Sequence, residues 1–258
     1  MTKRSAWALP YTIFLLIFVA LPLLLIAVYA LTDAQGGFTL SNLAAFFTEP
    51  KIVNSFLVSI EVAFETTIIC ILVGYPVAYI LADKSLNRSA VTALLFIMPM
   101  WINALMRTMA TAEIFNALGI GLGKGTLLFG MVYDYLPFMI YPIYTILSKM
   151  DKSYAEAAQD LGASPRKVFF KVTLPLSMPG IMSGVTMVFM PTVSTFAVSE
   201  ILTNNTIMLF GSVIQEQFNN LMWNQGAALS LMMLIIIGIT TLFSGDKDDA
   251  AAQQGGTI

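Results

Sequence analysis

Six long apolar runs, nearly free of charge, constrain this chain more than any other feature: about residues 9–31, 53–82, 91–112, 127–147, 180–201 and 226–243. About 20 consecutive apolar residues in a helix cross the ~30 Å hydrocarbon layer of a bilayer, so each run can span it. The composition agrees, because 57% of the 258 residues are hydrophobic and 11% charged, against roughly 25% charged in a soluble domain. The predicted fold is an all-α polytopic membrane protein with six transmembrane helices. The first run follows Lys3 and Arg4 and exceeds the roughly 7–15-residue core of a signal peptide, so it reads as a retained anchor. Residues 1–245 form one transmembrane domain in this reading. Residues 246–258, rich in Ala, Gln and Gly, read as a disordered tail.

The same composition narrows the chemistry. There is no histidine, which removes zinc sites built on His, Ser-His-Asp catalysis and haem held by His; Cys70 stands alone, so neither an internal disulfide nor a multi-Cys metal site can form. No cofactor is expected on this chain.

Orientation follows from the basic residues, which favour the cytoplasmic side of short loops. Lys3, Arg4, Lys84, Arg88, Lys149, Lys152, Arg166, Lys167, Lys171 and Lys247 fall on one side; only Lys51, Arg107 and Lys124 lie elsewhere. Both termini and the loops near 83–89 and 148–178 are therefore assigned to the cytoplasm. The acids divide the other way: Asp33, Glu49, Glu61, Glu65, Glu113, Asp134, Glu200 and Glu216 fall in the spans and outer loops. That part is net anionic, which suits a cation.

The loop between the fourth and fifth spans has its own helix punctuation. Ser153 and Glu156 are spaced as a capping box, Ala155, Ala157 and Ala158 propagate a helix, and Gly162 can close it in the left-handed conformation. Ser164-Pro165 then starts a second helix, predicted to run to about Val172 and to stop at Leu174-Pro175. The product is a compact helix–turn–helix.

Glu156-Ala157-Ala158, three residues, Gly162, nine residues and then Val172-Thr173-Leu174-Pro175 resembles the EAA motif of ABC-transporter permeases, with Val where Ile is common. Further strings extend the likeness along most of the chain. Leu72 to Tyr79, Pro99-Met100-Trp101-Ile102-Asn103, Leu136 to Met139 and Asp160 to Ser164 together resemble the spermidine/putrescine permeases, nearest the first of that system's two permease subunits. A short Gly-rich connection from Gly119 to Gly125 departs from the pattern. The resemblance implies the type I importer (MetI-like) fold in a bacterial inner membrane. It also implies an ATPase dimer carrying ATP and Mg, docked through Glu156, Ala157, Ala158, Asp160 and Gly162, together with a second homologous permease and an external solute-binding protein. Lipid is the remaining partner, and no nucleic acid is expected.

The chain does not supply its own energy in this reading. Lys124 in the Gly-rich stretch is followed by Gly125, and Leu118 stands where a phosphate loop needs its first glycine, so G-x-x-x-x-G-K-[ST] is absent and the stretch reads as a turn. It is read as a transport subunit and not an enzyme.

Ionisable residues at membrane depth are functional candidates by default, which selects Asp134 and Glu200. The resemblance adds weight to Glu200. Trp101 and Tyr75, with Tyr133 and Tyr135, could offer ring faces to an ammonium, and pairing with Arg107 is the alternative for Asp134. Glu61 and Glu65 share one helical face and would repel in lipid, so they should face water. Pro76, Pro99, Pro137, Pro142 and Pro191 mark places where spans can kink, and Gly180-x-x-x-Gly184 fits close helix packing. A polyamine importer is the expectation. Ferric iron, phosphonate or sulfate permeases of the same type are alternatives, as is a freestanding carrier or channel.

Overall fold

The computed structural model describes residues 10–33, 35–83 and 90–254. Among them the regular structure is helical, apart from one bridge between Thr32 and Phe38. Lys3, Arg4, Lys84 and Arg88, four of the residues used for orientation, lie outside the described set.

Four helices are long and apolar enough to span alone: α1 (Pro10–Ala30), α3 (Pro50–Ala82), α6 (Lys124–Lys149) and α12, whose apolar part is Trp223–Thr241. The short α2 (Ser41–Thr48) joins the first two. The other two expected spans are bent pairs. Residues 90–117 form α4 (Ala90–Ile97), a 3-10 turn over Met98–Trp101 and α5 (Ala104–Ala117), with a 98° change of direction between the two arms. A single span over 91–112 was expected, and the correction has a local cause. Pro99 sits at the start of the 3-10 turn, Ile102 is extended, and Asn103 caps α5 by accepting from the N–H groups of Leu105 at 2.9 Å and Met106 at 3.3 Å.

The second bent pair is α8 (Pro165–Leu176) and α9 (Met178–Ser194), which meet at 60°. Here too the expectation is corrected, since Pro175 does not stop α8. Phe169–Thr173 is a π-helical turn whose extra residue leaves room for the proline ring, and the break falls two residues later at Ser177. The span ends at Ser194, not near 201, because Thr195 is extended; α10 (Ala197–Thr203) is a separate short helix that carries Glu200. Backbone lies against this break. A Cβ built on Gly211, in α11 (Phe210–Asn219), would come 2.5 Å from the Ser194 carbonyl oxygen.

At the C-terminal end α12 runs from Trp223 to Gln254. Residues 246–254, expected to be disordered, are therefore helical, as the run of Ala and Gln from Ala250 allows.

α3, α6 and α9 pack together as the centre of the molecule. Cys70, Tyr75, Ala78, Met139, Ile140, Ile143 and Val188 fill one cluster between them. Close approach is possible because of Gly180 and Gly184. A Cβ on Gly180 would sit 3.0 Å from the Pro142 carbonyl oxygen, and one on Gly184 would sit 2.7 Å from Met139 Sδ. A second cluster of Val62, Ala112, Leu127, Met131, Val198 and Leu202 ties α3, α5, α6 and α10 together. α1 lies at the periphery, held by Ala30 against Ala227 and Ala228.

Candidate substrate cavity and coupling loop

The two breaks face each other across α6. The turn at Met98–Asn103, the middle of α6 and the extended step at Thr195 enclose a cavity of about 610 Å³, lined by Trp101, Asn103, Arg107, Thr108, Asp134, Tyr135, Phe138, Thr195 and Val198 among others. Non-helical backbone at membrane depth survives where it lines a cavity or is packed in protein, and these breaks do so.

One carboxylate faces this space. Asp134 is 2% exposed, its Oδ1 lies 3.0 Å from Arg107 Nη2, and its Oδ2 accepts from Thr108 Oγ1 at 3.0 Å. Arg107 is itself 7% exposed, and its Cζ stands 5.4 Å above the ring of Tyr133. Removing one partner of such a buried pair costs about 3–5 kcal/mol, because the other charge is left bare. The Nε and Nη1 of Arg107 are buried with no hydrogen-bond acceptor.

Of the four candidates for the pathway, the structure brings two together. Asp134 and Trp101 both line the cavity, Trp101 at its rim with 78% of its surface exposed. Tyr75 lies elsewhere, in the packed cluster of α3 against α6 and α9, its hydroxyl 3.0 Å from Ser177 Oγ at the α8–α9 break. Glu200 is half-buried on α10 and is not among the lining residues. Asn103, Thr108, Phe138 and Thr195 also line it, and the sequence reading missed them as site residues. The Pro-x-x-x-Asn spacing, a helix breaker followed by a cap, was the available signal.

Glu61 and Glu65 do not repel one another unchecked. Lys124 Nζ reaches both, at 2.6 Å and 2.9 Å, from the first position of α6. Lys51 pairs with Glu216 at 2.6 Å. All of these are partly exposed, so each pair contributes roughly 0–1 kcal/mol.

At the other end of α6 stands the loop with α7 (Ser153–Asp160). Its start corrects the expected capping box. Asp151 Oδ1 accepts from the Ser153 N–H at 2.9 Å, so the cap stands two residues before Ser153, and Ser153 is already helical. Those hydrogen bonds from Ser153 hold the Asp151 carboxyl below the usual carboxylate range. The end of the helix follows the expectation: Gly162 has φ +79°, its N–H donates to Gln159 O at 2.8 Å, and the Ala163 N–H donates to Ala158 O at 3.0 Å. This is a Schellman closure. Glu156, Ala157, Asp160 and Gly162 are exposed and Ala158 half-exposed, with Leu161 90% exposed at the tip. Beneath them a cavity of about 600 Å³ runs to Tyr79, Asp83 and Leu147.

The comparisons agree with this architecture. A family model described as "Binding-protein-dependent transport system inner membrane component" matches residues 2–245. The spermidine/putrescine transport system permease protein PotB of Salmonella typhimurium is 34% identical over 252 residues, covering 88% of both chains. The protein of that name from Escherichia coli K12 is 33% identical, covering 88% of this chain and 91% of its own, and that from Haemophilus influenzae is 32% identical, covering 87% of each. Among solved structures, a bacterial ABC transporter that imports the acidic polysaccharide alginate contains a chain with a TM-score of 0.67 at 14% identity, covering 100% of this chain and 99% of that one. At that identity the likeness concerns the fold alone. A matched span of nearly the whole chain, with relatives above 30% identity, makes this protein a member of the binding-protein-dependent transport system inner membrane components, the permease subunits of ABC importers.

Proposed function

We propose that this chain is the permease through which an ABC importer admits polyamines, spermidine and putrescine, to the cytoplasm. The identity of 33–34% over 88% of the chain to PotB proteins carries the reading. The cavity supports it. Its charged lining consists of Asp134 and Arg107, already paired, while Trp101 and Tyr135 offer ring faces. A polyamine is an apolar tether between ammonium groups; a carboxylate and aromatic faces bind each charge weakly enough to let it move on. An anion carrier would need a surplus of cationic donors in this space.

Energy enters from a separate ATPase dimer that binds ATP and Mg and docks on the exposed loop through Glu156, Ala157, Ala158, Asp160 and Gly162. Leu161 suits that contact, since an apolar side chain 90% exposed at a loop tip is more stable under a partner. The Gly-rich stretch before Lys124 is unsuited to ATP. Lys124 is engaged by two carboxylates, and the 26-residue α6 separates it from the coupling loop by about 39 Å. A second permease subunit completes the pathway, and an external binding protein delivers substrate. The loop lies in the cytoplasm with both termini, and the Lys124 end lies outside.

Uptake of labelled spermidine by cells lacking their own polyamine importers, and expressing this chain with its partner subunits, tests the assignment. Saturable uptake, competed by putrescine and abolished by a disabled ATPase, is expected. Uptake of sulfate, phosphonate or ferric iron instead would overturn the substrate class.

A further inference from the structure

We propose that Arg107 is a resident counter-cation that yields its place on Asp134 to a substrate ammonium, so that the two side chains form an exchangeable ion pair. The inference rests on the polyamine reading above and adds to it the site where one ammonium is held.

Three observations carry it. Asp134 faces the cavity, yet its charge is already neutralised by Arg107 at 3.0 Å. An ammonium can therefore bind there only beside the guanidinium or in its place. Its two oxygens offer about four acceptor sites; Thr108 occupies one on Oδ2, while Oδ1, 3.0 Å from Arg107 Nη2, is buried and accepts no hydrogen bond.

Arg107 is poorly held. A buried ion pair kept for structure has its remaining donors satisfied, whereas Nε and Nη1 of Arg107 are buried without an acceptor. The guanidinium is fixed by one carboxylate contact and one aromatic face.

Space for the displaced group exists on its far side. Arg107 also lines a second cavity of about 480 Å³, with Phe129 and Tyr133, and its Cζ is already 5.4 Å from the Tyr133 ring centroid. A rotation away from Asp134 moves the guanidinium further over that ring, where the π-face still attracts it. Exchange leaves Asp134 compensated throughout, whereas the displaced guanidinium keeps only the Tyr133 face, because no carboxylate lines the second cavity; that cost favours its return. Return of Arg107 would then expel the substrate.

Labelled spermidine uptake and retention by the complete complex in proteoliposomes test this, comparing wild type with Arg107→Gln, Asp134→Asn, Asp134→Glu and the double variant Arg107→Gln/Asp134→Asn. Exchange predicts that Asp134→Asn lowers uptake at least tenfold, and that the double variant is no better although its charges balance. Asp134→Glu recovers most of the uptake, and Arg107→Gln retains spermidine several-fold more tightly while turning over more slowly. A fixed strut predicts the opposite, a double variant that imports like wild type, and that result would overturn the proposal. Because the double variant removes both charges, a folding loss in either single variant does not decide the outcome. A wild-type complex that imports no polyamine would remove both readings, whereas wild-type import with a restored double variant would remove this one alone.

Discussion

Replacing Gly162 by Ala isolates the contribution of the coupling loop's closure. Gly162 holds φ +79°, and a Cβ built there meets nothing within 4 Å. The cost is therefore entirely backbone, about 1–2 kcal/mol for a residue with a Cβ in the left-handed region. That equals a roughly 5–30-fold change in an equilibrium between closed and frayed helix ends. α7 has only eight residues, none of them buried, so it has little packing with which to absorb the loss. Fraying releases the bonds from Gly162 N to Gln159 O and from Ala163 N to Ala158 O. The expected result in the reconstituted complex is a several-fold fall in spermidine-stimulated ATP hydrolysis, with thermal unfolding of the spans unchanged. Gly162→Asn, which tolerates the left-handed conformation better, should keep most of the stimulation. Stimulation at the wild-type level in both variants, or an Asn variant worse than the Ala variant, would refute the reasoning.

Gly184→Val should loosen α9 from α6, since its Cβ would lie 2.7 Å from Met139 Sδ and 3.3 Å from the Met139 carbonyl oxygen; overpacking of this kind costs about 1–3 kcal/mol, read as a lower unfolding midpoint in detergent. Tyr75→Phe removes the 3.0 Å hydrogen bond to Ser177, which keeps its own bond to Leu174 O, and should cost about 1 kcal/mol of stability. If Tyr75 touched substrate at a rate-limiting stage, that variant would instead lose uptake with its unfolding midpoint intact. The cap at Asp151 sets an acid limit. Its pKa is lowered in the folded state, so its contribution is complete above the unfolded value of about 3.9 and is lost as pH falls through the lower folded value. Cleavage of the loop by an acid protease should rise as pH falls below about 4, and Asp151→Ala should be cleaved readily already above that point.

Hydrophobicity made the spans legible, because a run such as residues 10–30 can satisfy its backbone in lipid only as a helix. The helix α7 was legible for a local reason: alanines and a C-terminal glycine act within one turn. The breaks were harder to see. Hydropathy is blind to Asn103, whose effect is to cap the next helix, and to Thr195, whose extended backbone stands against Gly211 from a distant part of the chain. Asp151 was missed as the cap because it competes with Ser153 two residues later, and geometry alone separates them. The pairing of Asp134 with Arg107 could be posed from sequence but not decided, since the two stand 27 positions apart on different helices, α5 and α6, and only the packing of those helices brings them together. Tyr75 and Ser177 were read as an aromatic face and a loop residue; their contact depends on where α8 bends.

ATP hydrolysis by the complex of this chain with its ATPase, second permease and binding protein, in lipid, tests the central claim most directly. The account predicts that spermidine-loaded binding protein stimulates hydrolysis, and that combining Glu156→Ala with Gly162→Ala removes the stimulation while the complex stays assembled. No response to any polyamine, alongside a clear response to another solute, would contradict the substrate, and full stimulation in the double variant would contradict the coupling route.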